Sequence, residues 1–180
     1  MGYSLAWLAV HGIPYDATLE RLALGKTDEF ADYAEQDFTG RAIPNGWSVV
    51  VARGCNDRII GTQQLASLSL GCDVIACSVE EHVMFSFAEL WSDGQRVWRV
   101  EHDAQKGIDH ISSEGALPGY LEAVRRQYTE QQEAAGGTSA DGDFYFEIPP
   151  ALAQARVGFK HDEENDFDSE GSFQVLADLG

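Results

Sequence analysis

Residues 83–103, VMFSFAELWSDGQRVWRVEHD, alternate apolar and polar side chains on either side of an Asp93-Gly94 dipeptide. Alternation has the period of a strand, and Asp-Gly suits the positive-φ positions of a two-residue turn, so the stretch predicts a hairpin. Such a turn places Trp91 opposite Arg96, Glu89 opposite Trp98, Phe87 opposite Val100 and Phe85 opposite His102. Phe85, Phe87, Trp98 and Val100 then share a core face, while Ser86, Ala88, Arg99 and Glu101 take a wetter one. Trp91 beside Arg96 would form a cation–π contact worth ~0.5–1 kcal/mol if exposed. A slip of one residue would move the Phe pair to the other face.

The flanking sequence supplies further strands and some helices. SLAWLAV (4–10), WSVVVARG (47–54), CDVIACSVEEH (72–82) and SFQVLA (172–177) read as strands. A helix capped by Asp16 or Thr18 carries Leu19, Leu22 and Ala23 and ends at Gly25; another, capped by Asn56 or Asp57, carries Ile59, Leu65, Leu68 and Leu70. Residues 26–46 are acidic and mixed, with Phe30, Tyr33 and Ala34 at helical spacing, and predict a short helix and a loop closing in AIPNG. The clearest helix is LPGYLEAVRRQYTEQQEAAGG, with Pro118 near its first turn, Tyr120, Leu121, Val124 and Tyr128 on one stripe, and Gly136 with Gly137 at its end. Residues 136–143 are a linker candidate; DFYFEI follows with Phe144, Phe146 and Ile148 in alternation, and PPALAQARVGF opens another helix. The expected architecture is one α+β domain over 1–180, a mostly antiparallel sheet with a central hairpin, flanked by helices.

Charge is the strongest global signal: 30 acidic residues against 12 basic ones give a formal net charge of −18. Such a field repels nucleic acid and anionic membranes and speeds encounter with a basic partner. Cys55, Cys72 and Cys77 are odd in number and form no CxxC pair, which favours reduced thiols and a cytoplasmic location. The apolar start follows no basic segment and is broken by His11 and Pro14, so it reads as a strand and not as a targeting signal. No window has the length of a membrane span.

Sites with chemistry are sparse. His102, Asp103, Asp109 and His110, with His82 on a neighbouring strand, carry donors suited to zinc or another divalent metal, yet their spacing follows no HExxH pattern. Cys55 follows a strand where a nucleophile could sit, but acidic neighbours would raise its pKa. DFDSEG (166–171) resembles the start of a calcium loop, with Ala177 where the bidentate Glu is needed. No GxSxG, GxGxxG or P-loop occurs, and no catalytic residue, metal or cofactor is assigned. The acids Asp162, Glu163, Glu164, Asp166, Asp168 and Glu170 are the candidate partner-binding residues, offering carboxylates to a partner's Lys and Arg side chains.

Ser86, Ala88, Trp91, Asp93, Gly94, Trp98, Val100, His102 and Asp103, in a hairpin followed by a helix, give the chain a layout that resembles small acidic cytosolic immunity proteins of bacterial toxin systems. The resemblance implies one-to-one binding to a cognate toxin and occlusion of its active site. The reading is therefore a non-enzymatic inhibitor of a toxin or other basic protein, binding neither nucleic acid nor membrane. A metal-dependent hydrolase using His82, His102, Asp103 and His110 is the alternative. A subunit of a larger assembly is a third reading, and it expects an exposed apolar patch around Trp47 or residues 144–146.

Overall fold

The computed structural model describes residues 2–165 and 173–180. The chain is an α+β protein built on one open, antiparallel, nine-stranded sheet. In chain order the elements are β1 (Ser4–His11), α1 (Tyr15–Arg21), β2 (Leu24–Ala31), β3 (Phe38–Ala42), β4 (Trp47–Arg53), α2 (Thr62–Leu68), β5 (Asp73–Glu80), β6 (Phe85–Ser92), β7 (Gln95–Asp103), β8 (Ser112–Gly115), α3 (Leu121–Ala134), α4 (Ile148–Val157) and β9 (Phe173–Asp178). Across the sheet the order is β2-β9-β3-β4-β1-β5-β6-β7-β8. β1 is thus the middle strand, and the β6–β7 hairpin lies off-centre.

The middle strands explain why both faces carry helices. Ala6, Leu8 and Val10 alternate with Leu5, Trp7 and Ala9 on β1, and all six are buried. A strand apolar on both sides needs cover on both sides. On one face Leu19 and Leu22 at α1 and Leu65 and Leu68 of α2 pack against Leu8, Val50 and Val74. On the other, Leu121, Leu152 and Val157 of α3 and α4 pack against Trp7, Val49 and Ile75. Pro149 and Pro150 start α4, where missing amide protons cost nothing, and Gly158 ends it with φ 82°.

The hairpin forms about Asp93 and Gly94, with φ of 47° and 79°, and Trp91 does face Arg96. Beyond that pair the expected register fails. Val97 is an extra residue in β7, so Trp98 faces Leu90, Arg99 faces Glu89 and Val100 faces Ala88. The bulge divides the expected core face: Phe85 and Phe87 lie with α1 and α2, whereas Trp98 and Val100 lie with α3 and α4. Ser86 and Ala88, expected in the wetter set, are buried. The cation–π partner also differs, because Arg96 reaches Glu89 and Glu114 while Arg99 sits 4.0 Å from the Phe87 ring centroid.

Residues 26–46 form β2 and β3, not the expected short helix. Pairing with β9 overrides the helical spacing of Phe30, Tyr33 and Ala34: Lys26 faces Leu176 and Phe30 faces Gln174. The surplus residues bulge out, held by Thr27 Oγ1 donating to the Val175 carbonyl and Gln174 Nε2 donating to that of Thr27. Smaller corrections concern caps. α1 is preceded by Pro14 without a side-chain cap and gives way at Ala23 (φ 53°), while Gly25 lies in β2. Asp57 caps a short 3-10 turn, Arg58–Ile60, ahead of α2. DFYFEI supplies a 3-10 turn that buries Phe146 and Ile148 and leads into α4. Gln132 fastens 136–144 onto α3, donating to the Gly137 and Gly142 carbonyls and accepting from the Phe144 amide.

Candidate functional site

Polar chemistry gathers where β1 begins and β4 and β5 end. Successive residues of a strand point to opposite faces, so Glu80 and Glu81 serve two different clusters. Glu80 accepts from Ser4 Oγ at 2.6 Å and from Cys55 Sγ at 3.5 Å on one oxygen, and meets His82 Nδ1 at 2.5 Å on the other. The Ser4 hydroxyl, then the His82 ring and amide and the Cys55 thiol, hold its pKa down to about 2 against the opposing effect of burial. So weak a base does not draw a proton from a thiol near neutral pH. In this arrangement sulfur and imidazole engage different oxygens of one carboxylate, so Cys55 lacks the direct imidazole contact of an activated cysteine.

On the other face, Lys160 is buried and ringed by carboxylates: Glu147 at 2.7 Å, Asp162 at 2.9 Å and Glu163 at 3.4 Å. Burial opposes the charge of Lys160, yet the Glu147 and Asp162 contacts raise its pKa; burial raises that of Glu147. His161 follows, fully buried, with Glu81 Oε1 at 3.7 Å and the Tyr3 ring edge-on at 5.2 Å.

These contacts involve two of the candidate partner-binding residues. Asp162 and Glu163 are engaged with Lys160, and Glu163 also accepts from Gln154. Glu164 is exposed, and Asp166, Asp168 and Glu170 lie outside the described residues. The proposed metal ligands do not converge. His102 is buried, with its ring nitrogens on the His110 carbonyl (2.7 Å) and Asp143 (2.8 Å); His110 Nδ1 accepts from the Asp103 amide; and His82 belongs with Glu80. Among the described residues no three His, Cys, Asp or Glu side chains are placed to hold a metal ion. Of the residues where an exposed apolar patch was expected, around Trp47 or 144–146, Trp47 and Phe146 are buried and Phe144 and Tyr145 half-buried.

At the opposite ends of β1 and β5 an open cleft of about 330 Å³ is lined by His11, Gly71, Cys72, Asp73, Ser92 and Asp93. Its polar groups serve the fold: Ser92 donates to Asp73, Asp93 accepts from the Gly71 amide, and Cys72 donates to the Leu68 carbonyl. Burial raises the Cys72 pKa, which keeps it a thiol.

The acids left without an ion pair among the described residues include Asp28, Glu29, Asp32 and Glu35, all exposed along β2 and the turn after it. Phe30 stands among them, 62% exposed. β2 is an edge strand, so this strip borders open solvent. Its acid density is legible in the sequence, but its placement on an edge is not. Among the described residues no helix is long and apolar enough to cross a membrane. Comparison with protein-family models, with curated proteins and with solved structures gave no match to this chain.

Proposed function

We propose that this chain acts in the cytoplasm as a non-catalytic inhibitor of the immunity class, covering the active site of a basic toxin or other basic protein with its acidic surface. The observation that carries the reading is the strip Asp28, Glu29, Asp32 and Glu35, exposed and without ion pairs among the described residues, around an exposed Phe30. Carboxylates paired within a fold contribute little field outside it, whereas unpaired ones on one edge repel each other and attract Lys and Arg. Phe30 supplies the aromatic anchor that charge alone lacks. The net charge of −18 adds long-range steering.

The test is affinity capture from the native lysate at low and high salt, followed by assay of the captured protein's activity with and without stoichiometric inhibitor. Inhibition by the native chain, with association slowed tenfold or more by combined Asp28→Asn, Glu29→Gln, Asp32→Asn and Glu35→Gln, is the expected result. Capture that is indifferent to these four changes and to salt would remove the basis of the proposal.

A further inference from the structure

The imidazole of His161 is fully buried, and neither ring nitrogen has a hydrogen-bond partner among the described residues. Leaving two such atoms dry is costly, and ordinary exposure of the ring would satisfy both. The ring is held inside by what surrounds it. Tyr3, just before β1, packs edge-on against it, and the Tyr33 hydroxyl, between β2 and β3, donates to the His161 carbonyl. Asn165 closes the turn by accepting from the Lys160 amide at 3.1 Å and donating to the carbonyls of Lys160 and Glu163.

The charged groups facing the ring come from Glu81, the residue after β5, and from the turn itself. Glu81 Oε1 lies 3.7 Å from Nε2, Asp162 Oδ1 lies 4.0 Å from Nδ1, and the Lys160 ammonium, itself bound to Glu147 at the start of α4, belongs to the same cluster. The two carboxylates favour a proton on the ring; burial and the ammonium oppose it, and burial is the largest effect, so the net direction is downward. A closed turn therefore prefers neutral imidazole, and an open turn, with the ring in water, binds the proton more readily.

We infer that His161 is a proton-operated latch on the turn spanning 160–165: the neutral ring keeps the turn seated against Tyr3 and Glu81, and protonation releases it. The latch rests on the geometry of the free chain and needs no partner. Its sign follows from linkage. A histidine whose pKa is depressed in the closed state loses that state as pH falls below the ordinary value of 6.5.

Hydrogen exchange at the Lys160 amide reports the opening, because that amide is held by Asn165. Its protection factor, corrected for intrinsic exchange, should fall by up to about tenfold per pH unit below the ordinary histidine pKa. His161→Phe and His161→Gln should abolish that dependence, and Glu81→Gln, which removes a carboxylate favouring the proton in place, should extend the fall to lower pH. A flat profile in the native chain would overturn the latch. So would an unchanged fall in either histidine variant, or, should both fail to fold, an unchanged profile in Glu81→Gln.

Discussion

The Arg99 guanidinium lies 4.0 Å from the ring centroid of Phe87, and its Nη1 donates to Glu89 at 2.5 Å. Glu89 is a buried carboxylate, and it also accepts from Trp91 Nε1 and Arg96 Nη1. Removing it leaves the Trp91 indole N–H without its acceptor and takes one carboxylate from each of two guanidinium groups, Arg96 keeping Glu114 and Arg99 keeping Glu101. Glu89→Ala should destabilise the chain by about 3 kcal/mol, with Glu89→Gln intermediate because it keeps an acceptor. Urea unfolding of the two variants checks the order; equal losses would show that charge matters and acceptor count does not.

Gly115 occupies φ 86° opposite Trp98, beside the bulge at Val97. A Cβ there would collide with the Val97 carbonyl oxygen, which already accepts from the Ala116 amide at 2.9 Å. Gly115→Ala should cost about 2 kcal/mol or more, or detach β8 from β7. Thermal unfolding gives the cost, and amide exchange at Ala116 distinguishes the two outcomes.

Much of the architecture was legible because its cause is local. Runs such as SLAWLAV and WSVVVA are buried on both faces and read as strands without help from the rest of the chain, and Asp93-Gly94 turns where its φ preferences require. The bulge at Val97 was not legible. It answers to packing on both sides of the sheet, where Trp98 is wanted against α3 and α4 and Phe87 against α1 and α2. β2 was hidden for a related reason: LGKTDEFA has little strand propensity, and β9 supplies its pairing from far along the sequence. The Glu80 cluster joins residues from β1, the end of β4 and β5, and no spacing encodes a junction of that kind.

Glu80 gives a pH prediction with a definite sign. Its pKa falls from 4.5 to about 2 in the folded chain, so its contribution to stability is present above the unfolded value and is lost as pH falls through the folded one. The stability difference between the native chain and Glu80→Gln should be constant above about pH 5.5 and shrink towards about pH 2. Chemical unfolding across that range measures it; a difference that grows on acidification would reverse the assignment.

Asp143 ties the segment after α3 to β7 through His102, at 2.8 Å, and accepts from the Phe146 amide with its other oxygen. Asp143→Ala should cost about 2–3 kcal/mol by leaving Nε2 of the buried imidazole and that amide unpaired. Asp143→Asn, which keeps an acceptor oxygen, should cost less. NMR of His102 would show in both variants whether the ring stays inside.

β9 stands between β2 and β3, the last strand in the chain inserted beside two of the earliest. During synthesis β2 emerges long before the strand that will hold it, and it must wait unpaired until Phe173–Asp178 leave the ribosome. A waiting strand is open to capture by other chains. Asp28 and Glu29 repel every identical copy, so the carboxylates that mark the finished surface also keep nascent molecules apart until their own β9 arrives.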